Sequence, residues 1–318
     1  MLVPGASAPA AINTIKSLKM VKYPVTIISS DTNPISAGFY LSDAHEVLPE
    51  IENPSYSTRL FEIIAKHNIG ILMPSSGYDI YYFSKNKGEL LKRGALAVVS
   101  DEEVMEKCRD KMETFSFLSQ KFALPFTTVD SDKIREFPII AKPRYGKGSK
   151  GIVKIDNEND LKYVQSKNDN MIFQEYLPGT EYTIDVLSDL DGEPIIAVPR
   201  IRLQTKAGIS TIGKIVMDES ISGTCKSIAK YLKILGPCCI QMKETKDGIL
   251  NVVEVNPRLG GGTIFTALAG ANFPAMILDM VNGKKLKAPL ISEITVVRYF
   301  EEIVVENGKV MKYDLNSV

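Results

Sequence analysis

Residues 238–263 read CCIQMKETKDGILNVVEVNPRLGGGT, and the way they pair decides the fold. Asp247-Gly248 is a dipeptide that favours a two-residue hairpin turn, and β-rich runs flank it on both sides. With those two residues as the turn, Lys246 pairs with Ile249, and stepping back along both strands sets Gln241 opposite Glu254. Side chains alternate faces along a strand, so Gln241, Glu254, Asn256 and Arg258 share one face. Ile240, Met242, Val253 and Val255 take the other face and point into a core. One face thus gathers a carboxylate, two amides and a guanidinium just ahead of Gly260-Gly261-Gly262. Oxygen donors of this kind suit Mg²⁺, which binds through one or two carboxylates together with substrate phosphates. A plain edge hairpin with a solvated face explains Glu254 alone. It explains Asn256-Pro257-Arg258 before three glycines less well, so the metal–phosphate reading is preferred.

Upstream, PRYGKGSKGI spans residues 143–152. Gly146, Gly148 and Gly151 let backbone N–H groups approach an anion, and Lys147, Ser149 and Lys150 lie between them. The spacing does not match a Walker A loop, and a surface hairpin tip is an equal reading. Lys142 lies on the strand before the loop and points toward a cleft. Residues 175–181, EYLPGTE, join two strands. Their backbone can pair with adenine and Glu181 can accept ribose hydroxyls, or the segment is a plain hinge. Arg200 and Arg202 sit two apart on a strand and share a face, a pattern that suits a carboxylate or phosphate as well as surface salt bridges. The polar, glycine-bearing stretch 204–215, QTKAGISTIGKI, reads as a substrate loop. Residues 101–122 read as two helices, with Asp101 as an N-cap and Arg109-Asp110-Lys111 at the second start. Substrate specificity is expected from loops 29–43, 74–80 and 204–215.

The first hundred residues alternate strands and helices, with one helix expected over Tyr78–Lys92, which predicts a parallel α/β sheet. A dinucleotide site needs G-x-G-x-x-G after the first strand; only Gly5 is present, and a nicotinamide oxidoreductase is excluded on that ground. Ser29-Ser30-Asp31 and Pro74-Ser75-Ser76-Gly77 fall at strand ends where such sheets bind ligands, and turn chemistry accounts for them equally. Lys plus Arg equals Asp plus Glu at 38 each in 318 residues, so no global field points to nucleic acid or a membrane. The four cysteines lack zinc spacing and read as buried thiols, and the two histidines as structural residues. With no signal peptide and no long apolar run, a cytoplasmic protein is expected. The tail, 286–318, reads as strands and loop with little chemistry.

The order of these pieces matters more than any one of them: Asp110-Lys111, AKPRYGKGSKG, QEYLPGTEY, Gln241 and EVNPRLGGG. That order resembles the ATP-grasp superfamily, in the branch of carbamoyl-phosphate synthase large-subunit halves and small amino-acid ligases, including the pyrrolysine-pathway lysine ligase. The resemblance runs from about Met1 to Val281. It implies an α/β chain, α+β toward its C-terminus, with a Rossmann-like pre-ATP-grasp domain (1–105), a small lid subdomain (106–178) and an antiparallel-sheet subdomain (179–318). It also implies Lys111 and Lys142 on ATP phosphates, Gly146, Lys147, Gly148, Ser149 and Gly151 in a phosphate lid, and Glu175, Tyr176 and Leu177 at adenine. Glu181 would meet the ribose. Gln241, Glu254 and Asn256 would hold one or two Mg²⁺ ions, with Mn²⁺ as a substitute, and Arg258 would meet the transferred phosphoryl group.

The implied activity is ATP-dependent ligation of a carboxylate to an amine through an acylphosphate, with release of ADP and phosphate. Partners would be a small-molecule acid and amine, amino acids among them, with no nucleic acid or membrane and with a homodimer as a candidate assembly. Carbamoyl-phosphate synthase halves carry a histidine in the stretch matching 204–215; this chain has none there. Arg200, Arg202 and the loop 205–211 are therefore read as a site for an organic carboxylate. Bicarbonate activation and a non-catalytic ATP-binding module stand as the alternatives.

Overall fold

The computed structural model describes residues 1–75, 78–146, 148, 150–306 and 308–311. Its N-terminal part alternates β1 (Leu2–Pro4), α1 (Pro9–Lys19), β2 (Ile28–Asp31), β3 (Ala44–Val47), α2 (Tyr56–Lys66), β4 (Ile71–Leu72), α3 (Asp79–Lys85), α4 (Lys87–Lys92) and β5 (Leu96–Ala97). The five strands form a parallel sheet in the order β3-β2-β1-β4-β5. Leu2, Ile28, Leu60, Ile63, Leu72 and Phe83 fill its core. The single helix expected over Tyr78–Lys92 is two. The break falls at Asn86, whose backbone N–H and side-chain amide both donate to the Tyr82 carbonyl, at 3.0 and 2.8 Å, and close the first helix there.

Two short helices follow, α5 (Glu102–Arg109) and α6 (Lys111–Leu118). Asp101 is the N-cap residue of α5, as expected, but its carboxylate makes no capping bond and takes the Lys87 ammonium at 2.6 Å. Asp110 does cap α6, accepting from the N–H groups of Met112 and Glu113. Next comes a four-stranded antiparallel sheet of β6 (Thr127–Thr128), β7 (Ile139–Pro143), β8 (Val153–Ile155) and β9 (Met171–Glu175), ordered β6-β9-β7-β8. Helix α7 (Glu158–Gln165) covers it with Leu161 and Val164.

The rest of the chain builds a second antiparallel sheet: β10 (Glu181–Ser188), β11 (Pro194–Lys206), β12 (Ile209–Ile215), β13 (Pro237–Glu244), β14 (Leu250–Asn256) and β15 (Thr295–Val297). Their order is β14-β13-β10-β11-β12-β15. Helix α8 (Glu219–Tyr231), N-capped by Asp218, packs Ile221, Cys225 and Ile228 on one face, against Ile184, Ile240 and Val255. Val104, Cys108 and Leu118 of α5 and α6 join this same core, so both helices belong to the large sheet by packing. Part of the opposite face is covered by α9 (Thr263–Leu268), α10 (Phe273–Val281) and α1. There Ala11, Ile15 and Leu18 share one core with Val198, Phe265, Phe273 and Ile277. A final ribbon pairs β16 (Val304–Glu306) with β17 (Lys309–Met311).

Two expectations change in this sheet. The stretch 204–215 is not a loop: β11 and β12 form a hairpin that turns at Ala207-Gly208, both with positive φ. The 238–263 hairpin also turns differently. Thr245 pairs with Ile249, and the three residues Lys246-Asp247-Gly248 close the turn with Gly248 at φ 78. That longer turn alone would slip the register by one. A bulge between Gln241 and Met242 restores it, so Gln241 still faces Glu254 and Cys239 faces Asn256. The residue taken up by the bulge is Val253. It is therefore Val252, not Val253, that enters the core with Val255.

Candidate active site

Hydrogen-bonded partners on neighbouring strands point to the same face of a sheet. Glu254 pairs with Gln241, Gln241 with Thr183, and Thr183 with Arg200. These four residues therefore form one row across β14, β13, β10 and β11, on the face away from α8. At roughly 4.8 Å per strand the row spans about 14 Å between its end backbones. Asn256 stands two residues beyond Glu254 on the same face and accepts from Arg258 Nη2 at 3.4 Å. Arg258 is held in turn by the Leu259 carbonyl at 2.9 Å. Among the described residues the Glu254 carboxylate has no hydrogen-bond or ion-pair partner, though it is half-buried. A partly desolvated carboxylate flanked by two amide oxygens is a set of hard donors, and Mg²⁺ fits it. Among the described residues no cluster of three or more His, Cys, Asp or Glu provides an alternative metal site.

The small sheet meets this row through Lys142. Its ammonium is buried and donates to Gln174 Oε1 at 2.8 Å and to the Val253 carbonyl at 2.9 Å. The bulge thus has a use: it frees the carbonyl that Lys142 takes. Burial pushes the Lys142 pKa down to about 8, the charge of Lys111 adding to that and Glu254 opposing it. Lys111 itself reaches the Gly146 carbonyl at 3.0 Å. The root of the glycine loop is clamped on Asp110, which receives Arg144 Nε at 2.8 and 2.9 Å and the Tyr145 hydroxyl at 2.6 Å. Burial alone would raise the Asp110 carboxyl, but these bonds hold it down to about 2. Gly148 and Gly151 have φ of 66 and 75, a conformation that favours glycine. Lys147 and Ser149, expected in this loop, lie outside the described residues, as do Ser76 and Gly77 of the expected 74–80 loop.

Residues 175–181 join the two antiparallel sheets. Glu175 accepts from the Phe126 N–H at 3.2 Å, Tyr176 lies under the ammoniums of Lys154 and Lys243, and Leu177 is buried. Neither the N–H nor the C=O of Leu177 has a partner among the described residues, which leaves both for a base. Glu181 and Arg202, read as separate ligands, meet each other: Arg202 Nη1 pairs with Glu181 Oε1, and Nη2 donates to the Gly208 carbonyl at 2.7 Å. Both terminal nitrogens of Arg202 are thereby engaged within the protein, by Glu181 and by the Gly208 carbonyl.

At the other end the row closes on Arg200 and Asp185, each about 1% exposed. Arg200 lies over Phe265, and so does Arg298, which follows β15. Sequence reading missed Arg298 and took the tail to carry little chemistry. The signal is the β12–β15 pairing, in which Ile212 partners Val297, and nothing local encodes it. The N-terminal part reaches the same place: Asn13 Nδ2 donates to the Gly261 carbonyl at 2.6 Å, and the Leu259 N–H to the Pro74 carbonyl at 3.0 Å. Asp31 is spent on turn chemistry, accepting from the N–H groups of Ser7 and Asn33, and Ser75 on the Pro4 carbonyl.

A parallel α/β sheet, a small antiparallel sheet with a glycine loop, and a large sheet bearing the Glu254–Gln241–Asn256 set define an ATP-grasp architecture. A family model described as ATP-grasp in the biosynthetic pathway with Ter operon matches residues 167–303, and one described as a PylC-like N-terminal domain matches residues 8–98. The chain thus carries an ATP-grasp domain behind a PylC-like N-terminal domain. It is 24% identical over 272 residues to the carbamoyl phosphate synthase large chain of Clostridium botulinum (strain Loch Maree / Type A3), covering 78% of this chain and 25% of that one. The chain therefore spans about a quarter of that relative's length.

Among solved structures, an L-amino acid ligase from Bacillus licheniformis superposes with a TM-score of 0.66 at 17% identity, over 91% of this chain and 74% of that one. The biotin carboxylase domain of the Hydrogenobacter thermophilus 2-oxoglutarate carboxylase, solved with MgADP, ADP and bicarbonate, gives 0.70 at 15%, over 91% and 71%. At such identities the likeness concerns the fold. No helix among the described residues is long and apolar enough to cross a membrane.

Proposed function

We propose that this chain is an ATP-dependent carboxylate–amine ligase that forms an amide through an acylphosphate and releases ADP and phosphate. The observation that carries the reading is the row Glu254–Gln241–Thr183–Arg200 on one sheet face, with the Lys142 ammonium resting on the same sheet at the Val253 carbonyl.

In this reading Leu177 and its neighbours Glu175 and Tyr176 frame the adenine through backbone, and the Glu181 carboxylate takes the ribose. Lys142 and Lys111 stand over the phosphates, with Gly146, Gly148 and Gly151 as the lid. Glu254, Gln241 and Asn256 hold the metal; Mg²⁺ bound there supplies charge neutralisation for the phosphate oxygens. Arg258, beside Asn256, stabilises charge on the transferred phosphoryl group as the substrate carboxylate oxygen attacks the γ-phosphorus and the bond to ADP breaks. Attack of an amine nitrogen on the acylphosphate carbon then expels phosphate. The lid keeps water from that carbon, since hydrolysis there wastes the activated acid. Arg200, at the far end of the row, anchors the organic substrate.

The test is Mg²⁺-dependent ADP release, screened against organic acids alone and paired with amines, with bicarbonate as a separate arm and Glu254→Ala beside the wild type. Release that requires an organic acid, rises with an amine and vanishes in Glu254→Ala is the expected result. Turnover on bicarbonate alone overturns the reading, and nucleotide binding with no release under any condition favours a non-catalytic module.

A further inference from the structure

Strand β15 ends the large sheet, and among the described residues no strand pairs with its outer edge. The pairing with β12 fixes which groups face out. The Arg298 N–H donates to the Thr211 carbonyl and the Ile215 N–H to the Ile294 carbonyl, with Val296 opposite Gly213 between them. Residues 294, 296 and 298 therefore turn their backbone groups toward β12, and Thr295, Val297 and Tyr299 turn theirs away from it. Edge strands are normally blunted by lysine, proline or a bulge. Residues 295–300, TVVRYF, hold none of these, and their one charge, Arg298, lies over Phe265.

The side chains are as bare as the backbone. Val296 packs on the core shared by α1 and α9, so Val297 and Tyr299 point to the opposite face. Helix α8 covers β10 and β11 on that face, and beyond it Val297 and Tyr299 are 65% and 81% exposed. Phe300, beside Lys206, is 81% exposed, and Leu203, at the β11 bulge, 54%. Apolar residues scattered singly over a surface are ordinary, but a run of them on an unpaired strand is a template for another chain. The β16–β17 ribbon that follows forms a sheet of its own, with Val304 and Val310 exposed, and an isolated two-stranded ribbon is marginally stable at best in water.

We propose that this edge is a self-association surface, on which β15 pairs antiparallel with β15 of a second copy of the chain across a two-fold axis and joins two six-stranded sheets into one. The register centred on Val297 engages all three outward residues. It sets Val297 against the partner's Val297 and Thr295 against the partner's Tyr299, a β-branched–aromatic pair of the kind that stabilises sheets. The same course carries the chain after Phe300 along the partner's segment 290–294, where Leu290 is 96% exposed, and gives the ribbon valines an apolar neighbour. Two aromatic rings of about 150–250 Å² each, at 81% exposed, offer about 250–400 Å² per copy. Leu203, Leu290, Val297, the ribbon valines and the edge backbone bring two copies to about 1,200 Å², where specific dimers begin. A second copy matches this edge residue for residue, and two-fold pairing removes the edge from both copies, so growth stops at two. Held from both sides, β15 also keeps the Arg298 guanidinium in place over Phe265, beside Arg200.

The test is sedimentation equilibrium on the full chain, with wild type beside Val297→Lys and Val297→Glu, each alone and the two mixed in equal amounts. Val297 is an exposed side chain, so both variants fold, and circular dichroism melts check that they do. Wild type sediments at twice the 35.1 kDa of one chain. Either variant alone sets like charges face to face on the axis and weakens the dimer about 10- to 100-fold. The mixture sets lysine against glutamate and restores the dimer, a result that misfolding does not mimic. A wild type that stays monomeric at tens of micromolar overturns the proposal, and so does a dimer that both variants keep. A mixture that stays as weak as its components overturns the self-pairing of Val297.

Discussion

Replacing Lys142 with Met separates what this residue does for the reaction from what it does to stability. The side chain is 6% exposed, and its pKa falls from 10.5 to about 8. At 1.36 kcal/mol per unit, burying this ammonium costs the fold about 3 kcal/mol. Methionine removes that cost but strands two acceptors, Gln174 Oε1 and the Val253 carbonyl, at about 1–3 kcal/mol each. The two effects nearly cancel, so Lys142→Met melts within about 5 °C of the wild type at pH 7. ADP release falls by roughly 100- to 1,000-fold, as expected when a preorganised charge is taken from the phosphates.

The sign with pH is specific. Because the folded pKa is depressed, the penalty on the wild type is full below pH 8 and fades between pH 8 and 10.5. The wild type therefore gains about 3 kcal/mol on the variant over that interval. Denaturant melts at several pH values, alongside a coupled ADP assay, measure both quantities. Parallel stability curves across pH, or turnover within tenfold of the wild type, would refute the reasoning.

The same titration predicts that kcat/KM for ATP declines tenfold per unit above a pH of about 8, where free enzyme loses the Lys142 charge; a flat profile to pH 9.5 counts against it. Asp110→Ala removes the α6 cap and the Arg144 and Tyr145 bonds, and unfolding should be easier by about 2–4 kcal/mol at pH 7. Since that carboxyl is held down to about 2, the gap is complete above pH 4 and closes as pH falls toward 2, which acid titrations by circular dichroism can follow. Gly262→Ala drives a methyl into the Arg200 guanidinium and should lower stability by about 1–3 kcal/mol, whereas Gly70→Ala, with open space around it, is the neutral control. Glu181→Gln should raise KM for ATP but leave KM for a 2′,3′-dideoxy analogue unchanged; equal effects on both would remove Glu181 from the ribose.

The placement of Gln241, Glu254 and Asn256 on one face was legible because hairpin pairing is local. Gln241 opposite Glu254 follows from a turn only a few residues away, and it survived a wrong turn type because the bulge at Val253 compensates for the extra turn residue, Lys246. The Arg200 end of the row was less legible. Arg202 and Glu181 were each singled out, yet their pairing depends on β10–β11 register, which a 13-residue strand with bulges does not announce. The β11–β12 hairpin turns on Ala207-Gly208, and alanine at positive φ contradicts local propensity, so the segment read as a loop. Arg298 was beyond reach, because β12 and β15 are joined through α8, the central hairpin and two further helices.

The core that α1 shares with α9 and α10 also bears on how this protein can be recombined. Ile15 and Leu18 are packed in one cluster with Phe265, Phe273 and Ile277, and Asn13 holds Gly261. The first hundred residues are therefore not a cassette. A chimera that replaces them alone leaves mismatched halves of a single interior, with a loosened roof over Arg200. The transferable unit is discontinuous: the N-terminal sheet together with residues 259–281, exchanged as a matched pair around a retained central hairpin.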